Sequence, residues 1–313
     1  MKKKLIIQIA EGLGNQLFMY AFAYSLSKKL NYELYIDNKS GYSRNKNLLR
    51  DHQFYMLNNF NITSNIAPSN LIYDTPFKLF LKKFKKKFEL FLDIFLKKKK
   101  FFIEKKIKME NKKIVQEFIN LDRSKVSDSL YLQGNFENHK YFFEYKDDLY
   151  KIFTPKNELI EKSNTLIDRI KNSNSISLHI RRNRFSDQHK LKTSENIQKS
   201  DIFVENIITY INNSIDFIES KVSNPEYFIW SNDHIDINNV LSKLKIKKYT
   251  IVNNNVINDF NLFRYCKHFI VGPSSFHWWG AWLNNNPNKI CIRPSNLNPS
   301  NNKNFWPDDW MSI

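Results

Sequence analysis

A chain of 313 residues with 42% hydrophobic and 15% aromatic side chains is too long for one small core and fits two domains of ordinary size. Its 49 lysines and arginines against 31 acids leave a net charge of +18, which points to acidic partners: phosphate groups, nucleic acid or an anionic membrane face. Two cysteines, Cys266 and Cys291, exclude a disulfide framework and match no zinc spacing, and no run approaches the roughly 18 apolar residues of a membrane span, so a reducing cytoplasm is expected.

Residues 5–9 are predicted as the first strand, because their apolar run is too short for a secretion signal and passes straight into Glu11-Gly12. Gly12-Leu13-Gly14-Asn15-Gln16 follows. Leu17, Tyr20, Ala21, Tyr24, Leu26 and Leu30 then recur at helical spacing, and residues 33–36 form a second strand. This is a βαβ unit with a glycine-rich turn at the mouth of its helix. It is not the dinucleotide fingerprint, since the third glycine is absent. Asn15 either touches a ligand on that turn or caps the helix.

Residues 77–108 hold 13 lysines against three acids, over half the excess charge of the protein. Phe77, Phe80, Phe84, Phe88, Phe91 and Phe95 fall at intervals of three and four, which predicts a basic amphipathic helix or helical hairpin. Either the phenylalanines enter the core while the lysines face water, or the segment lies on an anionic membrane surface. Nucleic acid is not expected, because the aromatics lie on a helical stripe and no sheet platform offers itself for stacking bases.

A strand at 131–133 and a polar turn at 134–138 come next, with helical patterning at 139–143 and 147–153 and a break at Thr154-Pro155. A helix is expected from about residue 157 to 170. Strands at 175–180, 227–230, 248–252, 269–271 and 289–293 then alternate with helices, one over 203–218 and one through Leu262, Phe263 and Cys266. After the strand at 269–271, Gly272-Pro273 breaks the chain and Ser274 or Ser275 caps a helix with a tryptophan-rich face. A Pro/Asn-rich tail carries Phe305, Trp306 and Trp310.

Three strand ends in the second half carry polar clusters: His179 with Arg181 and Arg182, Asn232 with Asp233, and Ser274 with Ser275. In a doubly wound sheet such ends converge on one edge. Arginine suits a diphosphate, because its planar fork donates two parallel hydrogen bonds and stays charged. A carboxylate such as Asp233 suits a guanine edge or a ribose diol. Taken singly, each group also has a plain structural use, as an ion pair or a helix cap. Together they predict a nucleotide-diphosphate site. No Gly-Lys-Ser/Thr cradle is present, which argues against a kinase or NTPase, and no Asp-x-Asp pair is present, so the arginines carry the charge work without a metal.

GLGNQLF, LQGNFENHKYF, HIRR, WSNDH and CKHFIVGPSSFHWWGAWL, in this order and followed by a terminal W-P-x-x-W, resemble the bacterial α-1,2-fucosyltransferase family (glycosyltransferase family 11-like). The likeness runs from about Ile6 to Trp310, apart from the basic segment. It implies an α/β fold of the GT-B type, two Rossmann-like domains facing across a cleft. These would be an acceptor-side domain over 1–154 with a basic insert at 77–108, a GDP-sugar-binding domain over 155–296, and a tail over 297–313 packing back near the interface. The implied reaction is inverting, cofactor-free and metal-independent transfer of L-fucose from GDP-fucose to a galactoside hydroxyl of a bacterial surface glycan. By the same resemblance Arg181 holds the β-phosphate with Arg182 beside it, and His179 lines the donor site. Asn232 or Asp233 meets guanosine, Ser274 and Ser275 meet the diphosphate, and Asn15 lies near the fucose. One departure stands out. The family continues its His-x-Arg-Arg with Gly-Asp, whereas this chain has Asn183-Arg184, which leaves Asp187 and His189 as candidates for a catalytic base, or the leaving diphosphate itself to take the acceptor proton. The same departure keeps open another GDP-sugar or linkage, or a homologue that binds without turnover. A lipid-linked acceptor would place the enzyme in the cytoplasm, peripheral on the inner face of the membrane.

Overall fold

The computed structural model describes residues 2–42, 54–92, 98–104, 108–110, 113–115, 119–157, 164–182, 193–235, 237–297, 300 and 304–313. The chain divides into two units, Met1–Phe153 with Ser300–Phe305, and Thr154–Pro299 with Trp306–Ile313. The tail is thus shared between them.

In the first unit the elements run β1 (Lys4–Gln8), α1 (Leu13–Leu30), β2 (Glu33–Asp37), β3 (Asn65–Ile66), α2 (Pro76–Leu92), β4 (Lys99–Ile103), β5 (Lys108–Glu110), β6 (Lys113–Val115), β7 (Val126–Gln133) and α3 (Lys146–Ile152). The sheet order is β3-β2-β1-β7-β4 with every pairing parallel, and β5 and β6 form a separate antiparallel pair. Leu5, Ile6 and Ile7 of the central β1 are buried whichever face they point to, as a covered parallel strand requires. Helix α1 is buried on nearly every side, with Phe22 stacked on Phe136 at 4.1 Å between ring centroids and Phe18 against Phe142 and Phe305. Residues 139–145 form two 3-10 turns rather than the expected helix; Asn138 accepts from the backbone N–H of Lys140 and sets the first turn.

The basic segment departs from expectation. Helix α2 ends at Leu92, and residues 99–103 are a sheet strand, β4, paired parallel with β7. Phe101 packs there against Tyr131 and Tyr73, and Glu104 accepts from the N–H groups of Asn135 and Phe136, fixing the polar turn after β7. The stretch is therefore not one helical insert. Its phenylalanines do not all fill the core either: Phe77, Phe80 and Phe84 are more than 60% exposed, while Lys82 is buried. Phe95 lies outside the described residues, and Phe88 and Phe91 lie in the part of α2 whose side chains are not described.

The second unit contains α4 (Asn164–Asn172), β8 (Asn174–Ile180), α5 (Ser194–Lys221), β9 (Pro225–Ser231), α6 (Ile237–Leu241), β10 (Tyr249–Ile251), α7 (Val256–Phe263), β11 (His268–Ile270), α8 (Ser275–Leu283), β12 (Cys291–Arg293) and β13 (Met311–Ser312). All pairings are again parallel, in the order β10-β9-β8-β11-β12-β13. Counted from its own first strand, that is the 3-2-1-4-5-6 order of a doubly wound nucleotide-binding sheet. The tail supplies the sixth strand, which no local pattern announced. On β8, Ile176, Leu178 and Ile180 pack with Ile207, Ile211 and Ile215 of α5, while Ser175, Ser177 and His179 alternate onto the opposite face. Tyr210 of α5 is buried with its hydroxyl 3.0 Å from the Val271 carbonyl oxygen and 2.9 Å from that of Ile292, tying the helix to the ends of β11 and β12. Tyr210→Phe should lower stability by about 1–2 kcal/mol in urea denaturation and loosen the turn after β11.

Candidate active site

In the second sheet the chain leaves β8 for α5 on one face and leaves β11 for α8 on the other. Strands β8 and β11 are neighbours, so the two connections part company at their carboxyl ends. That parting is the topological switch point where ligands of open α/β sheets bind. Arg181 and Arg182 follow β8 directly, and Gly272-Pro273-Ser274 leads into α8. The residue clusters singled out from the sequence, at 179–182, 232–233 and 274–275, therefore share one edge of one sheet.

Each occupies that edge differently. The Asn232 amide accepts from Arg182 N at 2.7 Å and donates to Arg182 O at 3.2 Å, clamping the loop after β8 to the end of β9. Asp233 Oδ1 accepts from Ile235 N at 2.9 Å, so one of its oxygens shapes its own turn. The Ser274 hydroxyl caps α8 by accepting from Phe276 N, and Ser275 begins the helix. The first turn of α8 accordingly points backbone N–H groups and the positive dipole end at this edge. Arg182 is half-buried, and its Nε and Nη1 are buried without a hydrogen-bond partner among the described residues. A guanidinium in that condition is costly unless an anion completes it.

His179 lies beneath this edge rather than on it. Its ring is buried and stacks on His277 at 5.2 Å, and His277 Nε2 meets Ser177 Oγ at 2.6 Å. Burial and the neighbouring Arg181 push the His179 pKa down to about 3, and burial holds His277 well below its usual range, so both rings are neutral. The close fit depends on glycine: a Cβ at Gly272 would stand 2.4 Å from the His179 carbonyl oxygen and 2.7 Å from its Nδ1. Gly280, one helix face further on, lets α8 lie against Phe263 of α7, where a Cβ would be 2.0 Å from the ring. Trp278 stacks on Trp282 and meets Trp310 from the tail, both at 5.6 Å.

One candidate was missed. Asp259, in the first turn of α7, has a half-buried carboxyl whose Oδ1 accepts from Asn254 Nδ2 at 3.1 Å, with the Trp230 indole beside it. Burial pushes its pKa up to about 6. Its only sequence signal was an acid placed early in a helix after a parallel strand, which an ordinary helix cap shares. Asn15 belongs to the first unit. Gly12 is the N-cap residue of α1 and carries no side chain to cap with, while the Asn15 amide donates to Glu11 Oε2, so the capping alternative for Asn15 does not hold. Neighbouring Gln16 is fully buried and staples that turn, donating to Glu11 O and Phe54 O and accepting from Met56 N. Asn183, Arg184, Asp187 and His189 lie outside the described residues. Among the described residues no group of three or more His, Cys, Asp and Glu is arranged to hold a metal ion.

The sequence profile of Glycosyl transferase family 11 matches residues 4–313. The chain belongs to that family and is a glycosyltransferase. An alpha-1,2-colitosyltransferase of Escherichia coli is 29% identical to this family 11 enzyme over 317 residues, 99% of this chain and 98% of that one. The O-antigen biosynthesis glycosyltransferase WbnK of Escherichia coli is 26% identical over 331 residues, 97% and 99% of the two chains. Among solved structures, a mutant of Arabidopsis thaliana FUT1 in complex with GDP superposes with a TM-score of 0.50 at 11% identity, covering 95% of this chain and 72% of the other. The fucosyltransferase NodZ from Bradyrhizobium gives a TM-score of 0.46 at 11% identity over 90% and 92%. The family 11 enzyme thus has the α/β, GT-B-like fold expected of it, built from two Rossmann-like units.

Two outcomes follow from this geometry. Gly272→Ala should shift the β11–α8 turn off β8, costing about 1–3 kcal/mol and most of the transfer activity, read by thermal unfolding and a turnover assay. His179 and His277 are neutral in the fold and protonate near pH 6.5 when released. Their contribution to stability is complete above about pH 6.5 and drains away as pH falls below it, that of His179 toward about pH 3. Urea denaturation across pH 4–7 should show a flatter acid slope for His277→Gln than for the unaltered protein.

Proposed function

We propose that this family 11 enzyme transfers L-fucose from GDP-fucose to a galactoside hydroxyl of a bacterial surface glycan, in α-1,2 linkage and with inversion. The observation that carries the proposal is Arg182, whose buried Nε and Nη1 lack partners among the described residues at the edge where α8 begins. With Arg181 beside it and the first turn of α8 opposite, the edge offers charge and directed N–H groups to a diphosphate. Ser274 and Ser275 sit where the β-phosphate would meet that turn. Asp233 or Asp259 would accept the ring N–H and amino group of guanine, and the other carboxylate would serve the ribose.

In this scheme the acceptor oxygen attacks the anomeric carbon from the face opposite the diphosphate. The new C–O bond forms as the bond to the β-phosphate oxygen breaks, GDP leaves with the electron pair, and the acceptor proton passes to a base. His179 is closed to the acceptor by burial, so Asp187 and His189 remain the candidates for that base. The arginines neutralise the leaving group, and no metal is assigned to the step. The acceptor is taken to be a lipid-linked glycan worked on at the inner face of the cytoplasmic membrane, a setting supported by the O-antigen role in the name of the second E. coli relative.

A second reading, transfer of colitose in place of fucose, is favoured by the full-length similarity to the colitosyltransferase. A panel of GDP-sugars with galactoside acceptors, assayed by GDP release, separates the two. Release from GDP-fucose that needs the acceptor and persists in EDTA is the expected result; release with colitose alone selects the second reading, and no turnover of any GDP-sugar overturns both. Arg181→Lys and Arg182→Lys, which keep the charge and lose the fork, should each lower kcat/KM by about 10²–10³ with the fold intact.

A further inference from the structure

Helix α2 docks on the first sheet through a lysine, and Phe77, Phe80 and Phe84 point away. Side chains advance by about 100° per residue around a helix, so Lys82 stands about 140–160° from Phe77, Phe80 and Phe84. Lys82 is buried, and its Nζ donates to Gln8 Oε1 at 3.1 Å and Gln133 Oε1 at 2.9 Å, at the ends of β1 and β7. The same ammonium lies 4.2 Å from the ring centroid of Tyr131 and 5.2 Å from that of Tyr73. On the far side Phe77 and Phe80 are 69% and 64% exposed, and Lys83 and Lys85 are exposed along the two flanks. A helix placed by apolar burial alone would turn the other way, with phenylalanines on the sheet and lysine in water. The four acceptor and ring contacts of Lys82 oppose that roll.

We infer that Lys82 keys α2 so that its outer face, Phe77, Phe80 and Phe84 flanked by lysines, rests on an anionic lipid bilayer. Charge selects this occupant. Residues 77–108 carry 13 lysines against three acids, so a second copy of the chain would set like charge against like. An RNA backbone would satisfy the lysines and leave the phenylalanines in water, whereas a bilayer with acidic headgroups takes both. No helix among the described residues is long and apolar enough to cross a membrane, and this face calls only for contact along its surface. The inference rests on the reading that transfer occurs at a membrane, and is independent of which sugar moves.

Flotation with vesicles of equal parts phosphatidylglycerol and phosphatidylcholine, against phosphatidylcholine alone, tests it. The full chain should float with the acidic vesicles and be released by salt, since exposed charges are screened within about 8–10 Å at moderate ionic strength. Phe77→Ser with Phe80→Ser should weaken flotation about tenfold or more, with GDP release on a soluble galactoside unchanged. Lys82→Met, which keeps every phenylalanine, should also lose flotation as the aromatic face rolls inward. Undiminished flotation of the double serine variant, unfolding of that variant, or RNA affinity in place of vesicle affinity would each overturn the inference. Vesicle binding without sugar transfer would instead sink the proposed reaction and leave this surface standing.

Discussion

The polar edge of the second unit's sheet hangs on a close approach of two backbones. A single methyl group at position 272 would press within 2.4 Å of the carbonyl oxygen of His179, so the turn after β11 closes on the end of β8 only because that residue is glycine. From that contact the rest follows in order. Helix α8 begins at Ser275, its first turn faces the same edge as Arg181 and Arg182, and Asn232 clamps the arginine loop from the β9 side. Beneath them, His179 and His277 stack as neutral rings, and the tryptophans of α8 pack inward with Trp310 from the tail. The edge is rigid because its supports are buried. Arg182 Nε and Nη1 are left without a hydrogen-bond partner there among the described residues.

The first unit solves a different problem with a parallel sheet of another order, β3-β2-β1-β7-β4. Its parallel sheet also ends in a glycine-rich turn, but Gln16 and Glu11 hold that turn with their own side chains. At the neighbouring strand ends Gln8, Asp37 and Gln133 form a polar patch, where Tyr131 donates to Asp37 at 2.6 Å and Lys82 bridges the two glutamines. That patch draws in a lysine from a helix whose aromatic residues would otherwise compete for the sheet. Burying an ammonium among neutral acceptors is costly, and the tyrosine rings offset part of the cost through their negative faces. Orientation of α2, rather than stability, is what the arrangement secures.

Much of this was legible beforehand because parallel α/β units write themselves locally. Leu5–Ile7 and Phe269–Val271 are apolar runs and Ile176–Ile180 an apolar/polar alternation, all cut short by glycine or polar residues, and each is followed by a helical repeat. A strand's carboxyl end is therefore visible in the sequence, and with it the polar residues that gather there. Those residues, from His179 to Ser275, are legible by type and position in the sequence. What single residues did at that edge was less visible: Asn232 serves the backbone of Arg182, Ser274 caps its helix, and His179 lies below the surface. Asp259 was passed over, since an acid in a first turn is commonplace until its burial and its tryptophan neighbour are known.

The sequence by itself determined the alternation of strands and helices, the family motifs and the set of groups at the strand ends, because these depend on nearest neighbours and short periodicities. Strand order, the return of Met311–Ser312 as a sixth strand, and the division of residues 77–108 into a helix and a sheet strand were decided by tertiary structure. The reason is physical. A stripe of phenylalanines at spacings of three and four specifies a helix face but not the direction in which that face points. Direction was settled by partners more than 50 residues away, Gln8 and Gln133, whose amides give the Lys82 ammonium the acceptors it would otherwise find in water.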